Sequence, residues 1–483
     1  MNFASVIRLL GALCGFLGLT MVFPLAWALG LGESRAFYGL VVSMGIAILG
    51  GASLFFLGHH GREGLRRKEG LAVVGLGWIL AVIVGSLPYL FSGSITSPVD
   101  AFFETMSGFT TTGSSVIEDV EALPQSILFW RSFTHWLGGI GIVVLFLAIL
   151  PHIGVGGRHL FRSEVSGAVK EAVTPRVKDT ALFLLKTYTL LTLIETGLLK
   201  LAGMSWLDSF CHTFGTIATG GFSTKNASVG HYGNIWVEVI IIVFMVLGGT
   251  NFALYRPLAR RKYGALLRDK EWLAYVSILG MGTLLVASNL VFGSRGLGGV
   301  EGVRQSAFQV VSVATCTGFI TVDFDAWPSF SRLLLLALMF VGGCSGSTSG
   351  ALKVMRVVIL AKFGWARVQK VFRPHAVVSL RIGPAVLKDE VVREILAFFV
   401  LYIGIFLVAS LALTVMGFDI ISSVSAVATN MGNVGPGLGV LGASETYAAV
   451  PVPGKILLSI CMLLGRLEIY TILVLLSPAF WKR

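Results

Sequence analysis

The chain has 483 residues, 55% of them hydrophobic and only 13% charged, with a formal net charge of +12. Soluble globular proteins carry about 25% charged residues, so a water-soluble enzyme or binding module is excluded and a polytopic membrane protein is indicated. The basic residues are gathered in a few loops, which fits membrane topology signals rather than a nucleic-acid surface.

Apolar runs of about 20 residues are long enough to cross a bilayer as helix. Ten are predicted, at 5–31, 38–58, 70–92, 126–150, 180–202, 234–255, 272–293, 329–360, 391–416 and 454–477. The first is too long for a signal peptide, lacks a clear small-residue cleavage site, and is soon followed by another run. It is read as a retained helix.

Within each of the last four pairs of runs lies a shorter segment, at 99–109, 206–217, 303–314 and 419–429. Segments of roughly three helical turns are too short to span, and these are predicted as re-entrant half-helices. After each comes one short phrase: Thr111-Thr112-Gly113, Ala218-Thr219-Gly220, Cys316-Thr317-Gly318 and Asn433-Val434-Gly435. The chain therefore divides into an N-terminal helix pair, 1–60, and four helix–pore loop–helix units, 61–155, 156–258, 259–361 and 362–483.

Irregular backbone at membrane depth is tolerated only where it is buried or lines a wet cavity. Four Gly-bearing loops can form one ring of backbone carbonyls that replaces a cation's hydration shell. Glycine supplies the unusual dihedrals that aim carbonyls inward. Each half-helix would point its partly negative C-terminal end at the cavity. Oxygen-only ligands suit a hard ion, and the loops hold no ring of Asp or Glu of the kind a carboxylate calcium filter needs.

A small-residue patch recurs on the span after each loop, at Leu137-Gly138-Gly139, Leu247-Gly248-Gly249, Val341-Gly342-Gly343 and Leu464-Gly465-Arg466. In the first two copies small residues allow close helix approach. The third extends as Gly342, Gly343, Cys344, Ser345, Gly346, Ser347, Thr348, Ser349 and Gly350. Such a stretch cannot continue a stable helix, so that span is predicted to be broken. The resulting loop is placed to gate a pore; a packing kink is the alternative. In the fourth copy Arg466 either faces the pore as a barrier to cations or forms a structural ion pair with Glu468 or another carboxylate. Glu104 and Glu195 are candidates to tie a filter loop to its neighbours. His135 and His212 read as lone packing residues.

One set of loops is basic: Arg62, Arg66, Arg67 and Lys68; Arg158, Arg162, Lys170, Arg176 and Lys178; Arg256 to Lys270; Lys362 to Lys388; and the terminal Lys482 and Arg483. The opposite loops hold Glu118, Asp119, Glu121, Asp323, Asp325 and Glu445. Basic residues stay inside, so both termini are expected in the cytoplasm and the acidic loops outside. The five cysteines are scattered and give no disulfide or zinc framework. The eight histidines show no metal-ligand spacing. No HExxH, GxSxG, Walker or paired-acid motif points to an enzyme.

These motifs together resemble the TrkH potassium-uptake proteins of the superfamily of K⁺ transporters (Trk, Ktr and HKT). The resemblance covers essentially the whole chain. It rests on Thr110 to Ser115, Ala218 to Ser223, Thr315 to Phe319 and Gly432 to Gly437, with the Gly342–Gly350 loop and Gly465-Arg466. The extra N-terminal helix pair is similar to the TrkH branch rather than the shorter KtrB branch. The resemblance implies an all-α membrane protein with four units around a pseudo-fourfold pore. It implies one filter glycine per unit, matched here to Gly113, Gly220, Gly318 and Gly435. Relatives with Ser at the first of these pass Na⁺, so Gly113 favours K⁺. The resemblance also implies a homodimer with one pore per subunit, in a bacterial inner membrane, docked on a cytosolic TrkA-type nucleotide-binding ring. Nucleotide would act only through that partner, and the chain itself needs no cofactor; K⁺ is its transported ion. The competing expectation is a K⁺ symporter coupled to H⁺ or Na⁺, with Glu104, Glu195 and Glu468 as the ionisable candidates.

Overall fold

The computed structural model describes residues 1–59, 67–153, 173–293, 296–374, 380–383 and 385–482. Arg62, Arg66, Arg158, Arg162, Lys170, Arg483 and the unit boundaries at 60/61 and 155/156 lie outside the described residues. The described residues form a helical bundle with one short antiparallel hairpin, Arg381–Ile382 against Ala385–Val386, with Gly383 at φ 57° between them.

Two N-terminal helices come first. Phe3–Thr20 bends at Met21 into Val22–Leu31, the pair counting as one span, and Ser34–Leu57 returns antiparallel to it. Glycines let the two backbones nearly touch: a Cβ on Gly51 would lie 2.5 Å from the Gly15 nitrogen. This close approach is how small residues associate helices where lipid gives no hydrophobic driving force.

Four units follow. Their first spans are Arg67–Ser92, Val173–Leu201, Lys270–Phe292 and Asp389–Val415. Their half-helices are Pro98–Phe109, Trp206–Ala218, Gly299–Ala314 and Ile420–Gly432. The longest has 16 residues, or about 24 Å of helix, short of the roughly 30 Å hydrocarbon layer. Three have side-chain N-caps. Ser97 accepts from the Asp100 N–H, Ser205 from that of Asp208, and Asp419 from those of Ile421 and Ser422. Such caps satisfy the orphan donors of a helix start that has no protein before it to pair with.

The second spans depart from expectation. Gln125–Ile153 is continuous. In the second unit Ile235–Gly248 meets the Phe252–Ala259 segment at 94°. The third is split into Ser329–Leu338 and Val354–Phe372, and the fourth into Val452–Arg466 and Tyr470–Leu476. Only the third break is legible from composition. The second forms because Asn251 accepts from the Ala253 N–H and starts a new helix. The fourth forms at Glu468, held at φ 52° with its carboxylate 2.8 Å from Arg356. The boundary drawn at 361/362 falls inside the continuous helix Val354–Phe372, and that at 258/259 inside Tyr255–Ala259.

The units close on one another in order. The second span of the first unit packs on the half-helix of the second, that of the second unit on the half-helix of the third, and that of the fourth on the half-helix of the first. At the remaining junction a Cβ on Gly432 would lie 2.7 Å from the Met339 carbonyl oxygen. Lys455 reinforces the closing junction with an ion pair to Asp100 at 2.6 Å. This cyclic arrangement brings all four half-helix C-termini to one axis.

Candidate functional site

Each half-helix ends in the same way. The residue after its last turn is left-handed although it is not glycine: Thr111 (φ 52°), Thr219 (φ 54°), Cys316 (φ 60°) and Asn433 (φ 53°). The next amide reaches back five residues. Thr112 N–H donates to Ser107 O, Gly220 to Gly215 O, Thr317 to Ser312 O and Val434 to Thr429 O, all between 2.7 and 2.9 Å. Two residues after each left-handed position comes a positive-φ glycine: Gly113 (φ 87°), Gly221 (φ 79°), Gly318 (φ 82°) and Gly435 (φ 105°). L side chains rarely adopt this conformation. Non-glycine residues held there mark backbone that the surroundings over-determine.

This geometry corrects the register of the second copy. The segment equivalent to Thr111-Thr112-Gly113 is Thr219-Gly220-Gly221, so Gly221 rather than Gly220 takes the glycine position and Ala218 ends the half-helix. The neighbours agree. A Cβ on Gly113 would strike the Gly220 carbonyl, one on Gly221 the Thr317 carbonyl, and one on Gly318 the Val434 carbonyl. One on Gly435 would lie 2.7 Å from the Thr112 carbonyl. Four glycines and four carbonyls thus interlock in a closed cycle, Thr112, Gly220, Thr317 and Val434 each supplying the oxygen.

Buried side chains brace the ring. Arg131 sits 2.7 Å from Glu104 and donates to Ser223 O at 2.9 Å, its guanidinium 3.6 Å over the Phe222 ring. Glu104 also accepts from Ser115 Oγ at 3.0 Å and Val116 N–H at 2.9 Å. One ion pair therefore fixes the strands after the first and second loops. His135 is a further brace. Its Nε2 accepts from Phe222 N–H at 3.2 Å, so the proton lies on Nδ1, which donates to Gly108 O at 2.7 Å. His212 bridges Asp208 O and Ser223 Oγ. Asn433 donates to Thr112 Oγ1 at 3.0 Å, and Ser114 donates to Asn430 Oδ1 at 2.9 Å, stitching the fourth loop to the first.

On the acidic-loop side the ring opens into a cavity of about 150 Å³ whose lining includes Glu118, Glu445, Arg131 and Lys225. Several acids of these loops are already engaged. Asp325 pairs with Arg332 at 2.7 Å, and Glu121 lies 3.9 Å from Lys225. The Asn226 amide beside Asp119 holds that carboxyl below its ordinary range.

On the other side, the Gly342–Gly350 loop crosses under the ring and touches the second, third and fourth units. Cys344 N–H donates to Gly249 O at 2.9 Å. Thr348 Oγ1 reaches Ile217 O at 2.9 Å and Gly248 O at 3.1 Å. Ser349 Oγ donates to Thr315 O, at the end of the third half-helix, at 2.7 Å. Arg466 donates to Thr348 O at 2.5 Å and to Gly138 O at 3.4 Å, and Lys353 donates to Ser349 O. Arg466 is not paired with Glu468, which is taken by Arg356. Glu195 is fully buried beside Thr216 and makes no ion pair among the described residues.

The glycine patches explain how the second spans come so close. A Cβ on Gly138 would strike Phe109 O, one on Gly248 would lie 3.2 Å from Ile217 O, and one on Gly465 would strike Met431 O. Each carbonyl belongs to the residue two before a left-handed position. The third unit lacks this contact because its Gly342 turns (φ 74°) onto the loop itself, a Cβ there lying 2.5 Å from Gly350 O.

Sequence reasoning missed Arg131, Lys353, Gly221 and Tyr447. The signal for Arg131 and Lys353 was present, since a charge inside a predicted span rarely faces lipid. Tyr447, which donates to Gly435 O at 3.3 Å, gave no local signal.

Comparison with known proteins gives one consistent answer. The TrkH family model, described as "Cation transport protein", matches residues 40–483. The chain is 37% identical to proteins named "Trk system potassium uptake protein TrkH" from Halomonas elongata and from Escherichia coli K12, with 100% of each chain covered. Its structure is similar to the crystal structure of the potassium transporter TrkH from Vibrio parahaemolyticus, with TM-score 0.92 at 36% identity over the full length of both chains.

Proposed function

This chain belongs to the TrkH family of cation transport proteins, and from that premise we propose that it is the K⁺-conducting subunit of a Trk-type uptake system. The observation that carries the reading is the closed cycle in which Thr112, Gly220, Thr317 and Val434 present carbonyls against Gly435, Gly113, Gly221 and Gly318 respectively. The three residues of each loop, Thr111 to Gly113, Thr219 to Gly221, Cys316 to Gly318 and Asn433 to Gly435, form the selectivity filter. Backbone oxygens replace the hydration shell of the ion, and the glycines keep the ring free of side chains.

Below the filter, the Gly342–Gly350 loop is the gate. Arg466 beside it is the barrier, a fixed positive charge that a permeating cation must pass. The units 61–155, 156–258, 259–361 and 362–483 each contribute one quarter of the pore. The protein lies in the bacterial inner membrane with both termini cytoplasmic. It works as a homodimer with one pore per subunit and docks a cytosolic TrkA-type nucleotide-binding ring that controls the gate.

Coupled symport with H⁺ or Na⁺ is the second reading, favoured by Glu195, a buried carboxyl in a span, one that makes no ion pair among the described residues. Flux into liposomes holding only this purified chain, with K⁺, Na⁺ and pH gradients varied independently, separates the two. Passive flux that follows the K⁺ gradient supports the channel. K⁺ accumulation against its own electrochemical gradient overturns it and makes Glu195 the next target.

A further inference from the structure

We propose that Glu271 is a positioning residue that latches the Gly342–Gly350 loop across the pore. The inference rests on the gate reading above. Glu271 lies in the first turn of Lys270–Phe292, a helix capped by Asp269, which accepts the Trp272 N–H at 2.7 Å. The cap fixes that turn and so fixes where the carboxyl is delivered. There a single oxygen, Oε1, accepts the Ser345 N–H at 2.6 Å and the Met355 N–H at 3.2 Å. Ser345 lies inside the loop, and Met355 lies in the first turn of the helix that resumes after it. One carboxylate oxygen therefore ties the body of the loop to the start of the helix that follows it.

Two further observations point the same way. Glu271 is 4% exposed and makes no ion pair among the described residues, so hydrogen bonds from Ser345, through both its N–H and its hydroxyl, and from the Met355 N–H are what stabilise its buried charge. Between the two tied residues, Ala351 (φ 55°) and Lys353 (φ 74°) are non-glycine residues in left-handed backbone. Such strain persists only where surrounding contacts hold it, and release of the latch lets that segment relax. No substrate ion needs to touch Glu271; it acts through the loop.

The test is K⁺ flux into liposomes of the full-length chain carrying Glu271→Ala, Glu271→Gln, a deletion of Ser345 to Ser347, or the deletion with Glu271→Ala. Glu271→Ala raises flux about tenfold, the factor expected when a closed state loses one charge-assisted hydrogen bond. Glu271→Gln keeps an oxygen in the same place and falls well below it. In the loop-deleted protein Glu271→Ala adds nothing. Ser345→Pro removes the other half of the contact and reproduces the rise, which keeps the test open if Glu271→Ala does not fold. Unchanged flux in both Glu271→Ala and Ser345→Pro, alongside a raised flux in the deletion, overturns the latch alone. Unchanged flux in the deletion overturns the gate reading and the latch with it.

Discussion

Gly318 stands so close to the carbonyl of Val434 that no side chain fits between them. The two belong to different units, more than a hundred residues apart in sequence. The same relationship at the other three junctions closes the ring. Each glycine is thus required by its neighbour's oxygen as well as by its own positive φ. On the filter reading, a substitution there acts on the ion's ligands directly.

The first expectation concerns Gly113. Replacing it with Ser adds a hydroxymethyl group against the Gly220 carbonyl. That oxygen must turn away, and the ring loses its fit to the dehydrated ion. A change of about 1.4 kcal/mol in relative ion stabilisation is tenfold in preference, so the K⁺ over Na⁺ permeability ratio drops by about that factor. Reversal potentials under bi-ionic conditions measure it. A ratio equal to wild type would sink the filter assignment.

The second expectation separates two adjacent glycines. A Cβ on Gly221 points into the ring at Thr317 O, whereas one on Gly220 meets the His135 ring, at 2.6 Å from its nearest atom. Gly221→Ala therefore loosens ion preference. Gly220→Ala disturbs a buried brace and lowers thermal stability first, by about 1–3 kcal/mol, the usual cost of overpacking. Permeability ratio and Tm measured on both variants decide the register. Loss of preference confined to Gly220→Ala would restore the alignment read from sequence.

Much of this architecture was legible because membranes impose strong rules. Spans, half-helices and the four loops stand out by length and apolarity alone, and the half-helix ends fall within a few residues of where composition put them. The second loop was misaligned for a local reason. Thr219-Gly220-Gly221 offers two glycines, and sequence does not say which backbone is left-handed. The break after Gly249 was missed because it turns on one ordinary polar residue, Asn251, with the distant Cys344 N–H on Gly249 O, and the break at Glu468 because it depends on the distant Arg356. Glu271 was unreadable for the same reason, since it sits at a helix start where an acid is ordinary.

The third expectation tests the brace. Glu104 and Arg131 are 0% and 3% exposed, and breaking such a buried pair leaves an uncompensated charge. Removal of one partner costs about 3–5 kcal/mol. Arg131→Ala therefore lowers Tm in detergent markedly, and any protein that folds shows weaker K⁺ preference because Ser223 O and Phe222 lose their support. A Tm within a degree or two of wild type would show that the pair contributes little.

The last expectation concerns the loop under the ring. Arg466 donates to Thr348 O, and Thr348 in turn donates to Ile217 O and Gly248 O, so one guanidinium holds a residue already tied to the second unit. On the barrier and gate readings, Arg466→Ala removes both a positive charge from the ion's route and a donor from the loop, and both changes favour conduction. Charge-assisted hydrogen bonds contribute about 1.5–3 kcal/mol each, so K⁺ flux rises by at least about tenfold. Arg466→Lys keeps the charge and loses the two-pronged geometry. If the charge is the main barrier, Lys stays near wild type; if the tie to Thr348 dominates, Lys behaves as Ala does. A flux in Arg466→Ala equal to wild type, in a protein of unchanged Tm, would remove Arg466 from the permeation pathway altogether.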